Sequence, residues 1–290
     1  MQAVNGSRRN LLKALGMGTA ALAFSDFRFP LPSYKPDIAL QLYTIRKSFE
    51  HDFDAAIRKV AQIGFSGIET YPFPDNVTLD HAAKLFKESG LKVLGMHTPL
   101  PVGEERDKVL RMAEAFETDR VIFPGWPQDE KYKTVESRKH MVDVYNECSV
   151  FLGSRGLKFG LHNHWWEFEK TYGVYPFYYL LENLNKNVFF EIDTYWAKTG
   201  GLDPAKVVGD FGERAPLLHI KDGPAVQGDL MYKHVPVGEG SLNFPAIVKA
   251  GGENIRWMIV EFDEYEHDIF EGISRSYKYL TSHDLARGKV

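Results

Sequence analysis

Short, mostly apolar runs alternate with longer amphipathic segments from Asp37 almost to the end of this 290-residue chain. Short apolar runs bounded by glycine, proline or polar residues are typical of buried strands, whereas the longer segments carry the spacing of helices. Eight such strands are predicted, over residues 38–43, 67–70, 91–96, 120–123, 157–161, 187–193, 216–220 and 256–261. Eight consecutive strand–helix repeats in a chain of this length favour a closed α/β fold, a (β/α)8 TIM barrel, over an open doubly wound sheet.

The segments between these strands predict the outer layer of helices. Helical spacing is found over residues 52–62, 79–89, 108–116, 135–155, 174–184, 244–250 and 268–280. Asp203 before Pro204 has the pattern of a helix cap followed by a first-turn proline. No Gly-x-Gly-x-x-Gly element follows the first strand, which removes the main support for a dinucleotide-binding fold. We therefore expect a single barrel domain over residues 37–282, followed by a short tail at 283–290.

The first 24 residues have the composition of an export signal. Arg8 and Arg9 form a basic start, and a weakly apolar, Gly/Ala-rich stretch follows over residues 14–24. This stretch is too short to span a bilayer as a stable helix, and the paired arginines followed by Leu-Leu-Lys resemble a twin-arginine signal. The pattern predicts a periplasmic protein with no membrane span in its mature form and an extended linker over residues 25–36. An N-terminal helix packed on the domain is the alternative.

The composition favours a small-molecule partner. The formal net charge is −4, and no run of lysine and arginine is present, which argues against nucleic acid as a partner. The single cysteine, Cys148, excludes an internal disulfide, and its helical surroundings predict a buried small residue and not a nucleophile. Aromatic residues make up 13% of the chain. They fit either a pocket that stacks on sugar rings or an aromatic-rich core.

Ionisable side chains stand at the ends of the predicted strands. The densest group follows the fifth strand, where His162, Asn163 and His164 come directly after an apolar run and Glu167 comes shortly after them. The residues at or next to the ends of the other strands are Tyr43, Glu69, His97, Pro124, Asp193, His219 and Glu261. In a barrel the carboxyl ends of all strands meet at one mouth, so these side chains are expected to converge. Because buried charges need partners, the set predicts a shared divalent cation.

Asp193, His219 and Glu261, with one ligand from the fifth strand, predict a four-ligand site of oxygen and nitrogen donors. Imidazole and carboxylate suit manganese, zinc, iron and cobalt, so the donor types leave the metal open. Each residue also has a simpler interpretation by itself. Asp193 would cap a helix, His219 would bind a backbone carbonyl, and Glu261 would pair with Lys221.

Four ordered segments resemble the xylose isomerase-like TIM-barrel superfamily, and within it the sugar phosphate isomerase/epimerase group. These segments are residues 160–168, 191–196, 219–222 and 260–263. The resemblance covers nearly the whole mature chain and implies one metal ion, often manganese, held by Glu, Asp, His and Glu at the ends of the fifth to eighth strands. It places Asp193, His219 and Glu261 in the last three positions. His162 stands where a Glu is usual, so the first ligand is either His162 or Glu167.

The resemblance implies a metal-dependent isomerase or epimerase that acts on a keto-sugar or cyclitol through an enediolate intermediate. Glu261 would be both ligand and base, Glu167 a second acid/base group, and Lys221 the group that neutralises a developing oxyanion. The remaining site residues are His164 in the catalytic set and Glu69, His97, Trp126 and Trp196 for substrate binding.

The sequence also leaves other functions and the oligomeric state undecided. The same enediolate beside a 3-keto group can expel a β-substituent, which would make the protein a lyase or dehydratase acting on 3-keto-glycosides or inososes. An exported protein would meet free sugars and glycosides in preference to sugar phosphates. A periplasmic carbohydrate-binding protein would need the aromatic residues but not four ligands at one mouth. Exposed aromatic residues around Tyr232 predict either a homodimer contact or a lid over the pocket.

Overall fold

In a computed structural model of the protein, residues 34–125 and 134–289 are described, and their eight parallel strands form a closed barrel. The strands are β1 (Asp37–Gln41), β2 (Gly67–Thr70), β3 (Lys92–His97), β4 (Arg120–Phe123), β5 (Lys158–His162), β6 (Phe189–Asp193), β7 (Leu217–Ile220) and β8 (Trp257–Val260). Each strand pairs with its neighbours in chain order, and β8 pairs with β1 to close the barrel. The predicted TIM barrel is confirmed. The proposed export signal, most of the linker and Trp126 lie outside the described residues.

Within the described ranges, nine α-helices follow or separate the strands. They are α1 (Arg46–Ile63), α2 (Leu79–Glu88), α3 (Glu105–Ala115), α4 (Val135–Gly153), α5 (Pro176–Asn183), α6 (Thr194–Thr199), α7 (Pro204–Phe211), α8 (Phe244–Gly251) and α9 (Ile269–Ser282). The short helix α6 was not predicted. It follows β6 without a loop, and Asp193 at the end of β6 caps it by accepting a hydrogen bond from the Trp196 N–H at 2.9 Å. No helix in the described chain is long and apolar enough to cross a membrane.

Helix α1 begins six residues before the predicted start at Asp52. Asp52 has extended backbone angles (φ −161°, ψ 99°), so it interrupts the helix. Its Oδ1 accepts a hydrogen bond from the Ala55 N–H at 2.9 Å, which is the geometry of an N-terminal cap. The predicted start therefore marks the second of two helical segments. The first segment has weak helical spacing in the sequence.

The inside of the barrel changes from apolar to polar along the strands. An apolar layer at the amino-terminal end is formed by seven residues of six strands: Ala39, Leu94, Ile122, Phe189, Leu217, Trp257 and Ile259. Because side chains alternate across a strand, the next inward positions after Phe189 are Glu191 and Asp193, and the next after Leu217 is His219. Intervening residues such as Phe190 and Ile192 pack outward in the main core. The strands therefore carry their ionisable side chains towards the mouth.

Gly160 on β5 leaves room for an aromatic ring inside the barrel. A Cβ atom at this position would overlap the ring of Phe189, its register partner on β6. We expect Gly160→Ala to lower the free energy of unfolding by about 1–3 kcal/mol, because the packed ring has to shift. The matched control is Gly153→Ala at the end of α4, where an added Cβ meets no heavy atom within 4 Å. Equal urea midpoints for the two variants would contradict this prediction.

Cys148 in α4 is fully buried, as predicted for a small apolar residue. Burial raises the pKa of its thiol to about 11, with a smaller contribution from the charge of Glu147. At neutral pH the side chain is therefore a thiol with very little thiolate, which makes it a poor nucleophile.

Candidate functional site

A cavity of about 330 Å³ opens at the carboxyl ends of the strands. Its polar wall includes His97, His162, His164, Lys221, Glu261 and Asp263. Its apolar wall includes Tyr43, Tyr71 and Phe123, and the two tyrosine rings meet edge to face with their centroids 4.9 Å apart. This size and this mixture of apolar surface with a few convergent polar groups are typical of a small-molecule site.

A buried set of two carboxylates and three imidazoles, the inner cluster, consists of Glu69, His97, His162, Glu191 and His219. The Nε2 atom of His97 lies 3.0 Å from Glu69 Oε2 and 2.8 Å from Glu191 Oε2. The Nε2 atom of His219 lies 2.8 and 3.1 Å from the same two oxygens. His162 Nδ1 lies 3.1 Å from Glu191 Oε2. Glu191 lies two residues before Asp193 on β6, so the cluster extends one layer deeper than the mouth.

A second set, the outer cluster, consists of Lys221 and the carboxylates of Asp193, Glu261 and Asp263. The ammonium nitrogen of Lys221 lies 3.0 Å from Asp193 Oδ2 and 2.9 Å from both Glu261 Oε2 and Asp263 Oδ2. The Lys221 side chain is only 2% exposed, so these contacts are shielded from solvent. His219 joins the two clusters, because its Nδ1 lies 2.7 Å from Glu261 Oε2.

The histidines of the site divide into two electrostatic classes. Burial lowers the pKa of His97, but the charges of Glu69 and Glu191 outweigh burial and raise it to about 10. Burial likewise opposes protonation of His219, and Glu191 and Glu261 more than compensate and raise its pKa well above the usual value. For His162, burial and the neighbouring cationic histidines both lower the pKa, so this ring is neutral at pH 7.

The pKa values of the carboxyl groups in the outer cluster are shifted in opposite directions. Burial disfavours the charge of Glu261, but Lys221 and His219 outweigh it and hold the pKa of this carboxyl well below its usual range. For Asp193 burial dominates over Lys221 and raises the pKa to about 6. Burial also raises the pKa of Asp263. Among the three carboxylates of the outer cluster, Glu261 therefore has the lowest pKa and stays ionised over the widest pH range.

The two clusters have more negative than positive charge. Together they contain five carboxylates and three cationic side chains, a formal net charge of −2. All of the excess lies in the outer cluster, where one ammonium group faces three carboxylates. Excess buried negative charge is costly, and a divalent cation would balance it.

The donor atoms fit a divalent cation. Asp193, His219 and Glu261 each offer a ligand atom, and these atoms lie within 4.8 Å of one another. Bonds of roughly 2.0–2.2 Å place adjacent and opposite donors of a six-coordinate ion about 3 and 4.3 Å apart, close to this spacing. An ion bound here would displace the Lys221 ammonium, which lies 3.0 Å from Asp193 Oδ2 and 2.9 Å from Glu261 Oε2. His162 lies outside this group and forms a second one with His97, Glu191 and His219. The structure thus brings three of the four predicted ligands together and places His162 on the deeper layer.

A family model described as "Xylose isomerase-like TIM barrel" matches residues 57–281. The chain belongs to the xylose isomerase-like TIM-barrel family. This match confirms the resemblance predicted from the strand-end motifs. No functionally curated protein matches the sequence at a significant level.

Solved structures of this xylose isomerase-like fold superimpose on most of the chain. A sugar phosphate isomerase/epimerase from Parabacteroides distasonis has 22% identity and a TM-score of 0.74, with 88% of this chain and 96% of that chain covered. A probable 3-DHS dehydratase from Bacillus anthracis has 15% identity and a TM-score of 0.69, with coverages of 84% and 98%. A D-allulose 3-epimerase from Methylomonas sp. has 15% identity and a TM-score of 0.60, with coverages of 88% and 99%. At these identities the shared property is the fold.

The remaining predicted site residues of this family member lie at different depths. His164 lines the cavity and stacks on Trp166, with ring centroids 4.3 Å apart. Glu167 is buried, and its Oε2 accepts a hydrogen bond from the His164 N–H at 2.8 Å. Glu69 belongs to the inner cluster and does not reach the cavity wall. Trp196 is buried behind Lys221, with the ammonium 5.0 Å from its ring centroid, and is not among the described lining residues.

The loop aromatic Tyr232 is half exposed, and its ring contacts Trp196 with centroids 5.6 Å apart. Its predicted role in a homodimer contact or a lid stays a prediction.

Three polar residues of the site were not predicted: Gln41, Glu191 and Asp263. Gln41 donates to Glu69 Oε2 at 2.7 Å, and Asp263 contacts Lys221. The signal for Glu191 was available, because it lies two residues before Asp193 and therefore on the same side of β6. Asp263 likewise follows Glu261 by two residues. A prediction that considers only the strand ends therefore misses Glu191 and Asp263.

Proposed function

We propose that this protein is a metal-dependent sugar isomerase or epimerase that acts on a keto-sugar or cyclitol through an enediolate intermediate. The observation that carries the proposal is the group Asp193, His219 and Glu261, whose ligand atoms lie within 4.8 Å of one another beside a cavity of about 330 Å³. The shared fold with a sugar phosphate isomerase/epimerase and a D-allulose 3-epimerase supports it.

Asp193, His219 and Glu261 are the proposed ligands of one divalent ion, with manganese preferred over zinc, iron and cobalt. When bound, such an ion supplies the Lewis acidity that makes the C–H bond beside a sugar carbonyl more acidic. The low pKa of Glu261 supports its role as a ligand, because the carboxylate carries its charge throughout the neutral pH range. The neighbouring Lys221 ammonium offers a positive charge to a developing enediolate oxygen.

Proton transfer is assigned to two carboxylates. Glu261 lines the cavity and removes the proton. Glu167 is the proposed acid/base group of the opposite face, and because its carboxylate is buried and is not among the described lining residues, a side-chain movement has to bring it to the substrate. Its hydrogen bond from the His164 N–H fixes the orientation of the Glu167 carboxylate. Removal of a proton from one face and its return to the other inverts a stereocentre, whereas transfer between adjacent carbons isomerises the sugar.

A sugar without a phosphate group is the proposed substrate. Among the described residues that line the cavity, Lys221 is the only lysine or arginine, and it is already assigned to the enediolate oxygen. Phosphate sites normally present uncommitted cationic groups or several backbone N–H groups. We also propose that the twin-arginine-like segment around Arg8 and Arg9 exports the protein to the periplasm, where free sugars and glycosides occur.

A lyase or dehydratase is the second candidate, and the protonation of His97 favours it. This histidine lines the cavity, and its pKa of about 10 makes it a cationic proton donor at neutral pH. A proton donor on the wall would assist the departure of a β-substituent from a 3-keto-glycoside or an inosose. The fold shared with a probable 3-DHS dehydratase is consistent with this reaction class.

Solvent isotope exchange tests the proposed function. The manganese-loaded protein would be incubated in D2O with ketopentoses, ketohexoses, 3-keto-glycosides and inososes, and the products followed by NMR. We expect deuterium to enter one carbon position of a substrate without loss of any group, and we expect chelation to abolish the exchange. Release of water or an aglycone would instead identify the lyase. Tight sugar binding with neither reaction would overturn both and support a carbohydrate-binding protein.

A further inference from the structure

Three donor atoms of the inner cluster have the spacing of ligands on one ion. Glu191 Oε2 lies 2.8 Å from His97 Nε2 and 3.1 Å from His162 Nδ1. Adjacent ligands of an ion with bonds of roughly 2.1 Å at right angles are about 3.0 Å apart. The three side chains come from β6, β3 and β5, so rigid strands hold each of them. His97 and His162 also line the cavity, so further ligand positions would face a bound substrate.

Hydrogen bonding alone leaves this cluster incompletely satisfied. His97 Nε2 and His219 Nε2 can carry one proton each, yet each nitrogen lies within 3.1 Å of carboxylate oxygens from both Glu69 and Glu191. In addition, the Oε1 atoms of Glu69 and Glu191 are buried and have no hydrogen-bond partner among the described residues. Buried carboxylate oxygens normally have partners, so these two atoms point to a missing cation.

We infer that His97, His162 and Glu191 bind a second divalent cation, one layer deeper than the ion of the proposed function. Two imidazoles and one carboxylate form the donor set that suits iron(II), manganese, cobalt or zinc and leaves several coordination positions open. Binding releases the Nε2 proton of His97 to solvent, because a ligating imidazole nitrogen has to be deprotonated. Because a ligating His97 has no Nε2 proton, this site excludes His97 as the proton donor of the lyase alternative, but it does not depend on the identity of the sugar.

His219 can take part in both metal sites while binding only one ion. Its Nδ1 faces Glu261 and the outer cluster, whereas its Nε2 lies 2.8 Å from Glu69 Oε2. His219 would therefore ligate the outer ion through Nδ1 and donate its Nε2–H to Glu69. A ligating histidine usually donates its other N–H in this way. The arrangement also gives His162 a partner set of its own, at the position where the family resemblance implies a Glu.

Metal counting on the full-length protein tests the inference. The chain would be stripped with a chelator and dialysed against cobalt(II), and the ions per chain would be measured by mass spectrometry. We expect two ions for the unchanged protein, one for His97→Gln, one for Asp193→Asn and none for the double variant. The single variants should also differ in visible absorption, because His97→Gln keeps the oxygen-rich site and Asp193→Asn keeps the nitrogen-rich one.

The control variant is His81→Gln, which removes a histidine that pairs with Asp54 on the exposed surface, with the two atoms 2.6 Å apart. Its ion count should stay at two. Saturation of the unchanged protein at one ion per chain would overturn the inference even if the variants failed to fold. A retained count of two in a folded His97→Gln protein would do the same. Two ions without any isotope exchange would overturn the proposed reaction while leaving the second site in place.

Discussion

Replacement of Glu261 by glutamine is expected to lower turnover by about 10³-fold, since general acid–base groups contribute roughly 10²–10⁴-fold. The amide has nearly the same shape but cannot accept the substrate proton, and it is a weaker ligand for a cation. It also loses the charge that His219 and Lys221 face at 2.7 and 2.9 Å. Turnover would be measured as deuterium incorporation into the substrate identified by the exchange experiment, at saturating manganese.

The control for this variant is Glu264→Gln. Glu264 lies three residues further along the chain, where its half-exposed carboxylate pairs with Lys47 and Arg46. Surface ion pairs contribute little, so its turnover should stay within about twofold of the unchanged protein. A folded Glu261→Gln protein with full turnover would remove Glu261 from the mechanism. Loss of turnover in both variants would point to a general effect of charge on this side of the barrel.

Replacement of Lys221 by methionine is expected to lower the free energy of unfolding by about 3–5 kcal/mol, the usual cost of removing one partner from a buried ion pair. The change leaves the carboxylates of Asp193, Glu261 and Asp263 without the ammonium that lies about 3 Å from each of them. Urea unfolding at pH 7 in the presence of a chelator would measure the loss. Lys158→Met is the matched control, because Lys158 pairs with Asp119 on the exposed surface and its loss should cost at most about 1 kcal/mol.

Two conditions should reduce the loss of unfolding free energy in the Lys221→Met protein. Manganese binds the folded state and supplies positive charge, so it should recover part of the stability. Acidification should act in the same direction. The pKa of Asp193 is raised to about 6 in the folded protein although Lys221 lowers it, so the loss of Lys221 raises it further. The folded variant therefore takes up this proton before the unchanged protein and before the unfolded chain as the pH falls from 7, and it gains stability in doing so. Equal losses for Lys221→Met and Lys158→Met would show that the outer cluster is solvated.

The barrel could be predicted because eight apolar runs punctuated by turn residues leave few alternative folds. The convergence of Asp193, His219 and Glu261 could be predicted for the same reason, since strand ends share one face. Which of these side chains contact each other at that face could not be predicted. Whether His162 turns towards Asp193 or Glu191 depends on its side-chain rotamer and on the room around it, and neither is encoded in the spacing. The burial of Trp196 depends on α6, a six-residue helix with too short a pattern to be recognised.

The apolar layer closes the amino-terminal end of the barrel beneath the site. Phe189, Leu217 and Trp257 are among the side chains that fill its base. We expect an ion held in the layers above them to enter before the sugar and to leave only after the product. Binding would then be compulsorily ordered, and a high sugar concentration would slow chelation instead of competing with the metal. Metal loss measured with and without bound sugar would reveal this trapping as a difference in rate.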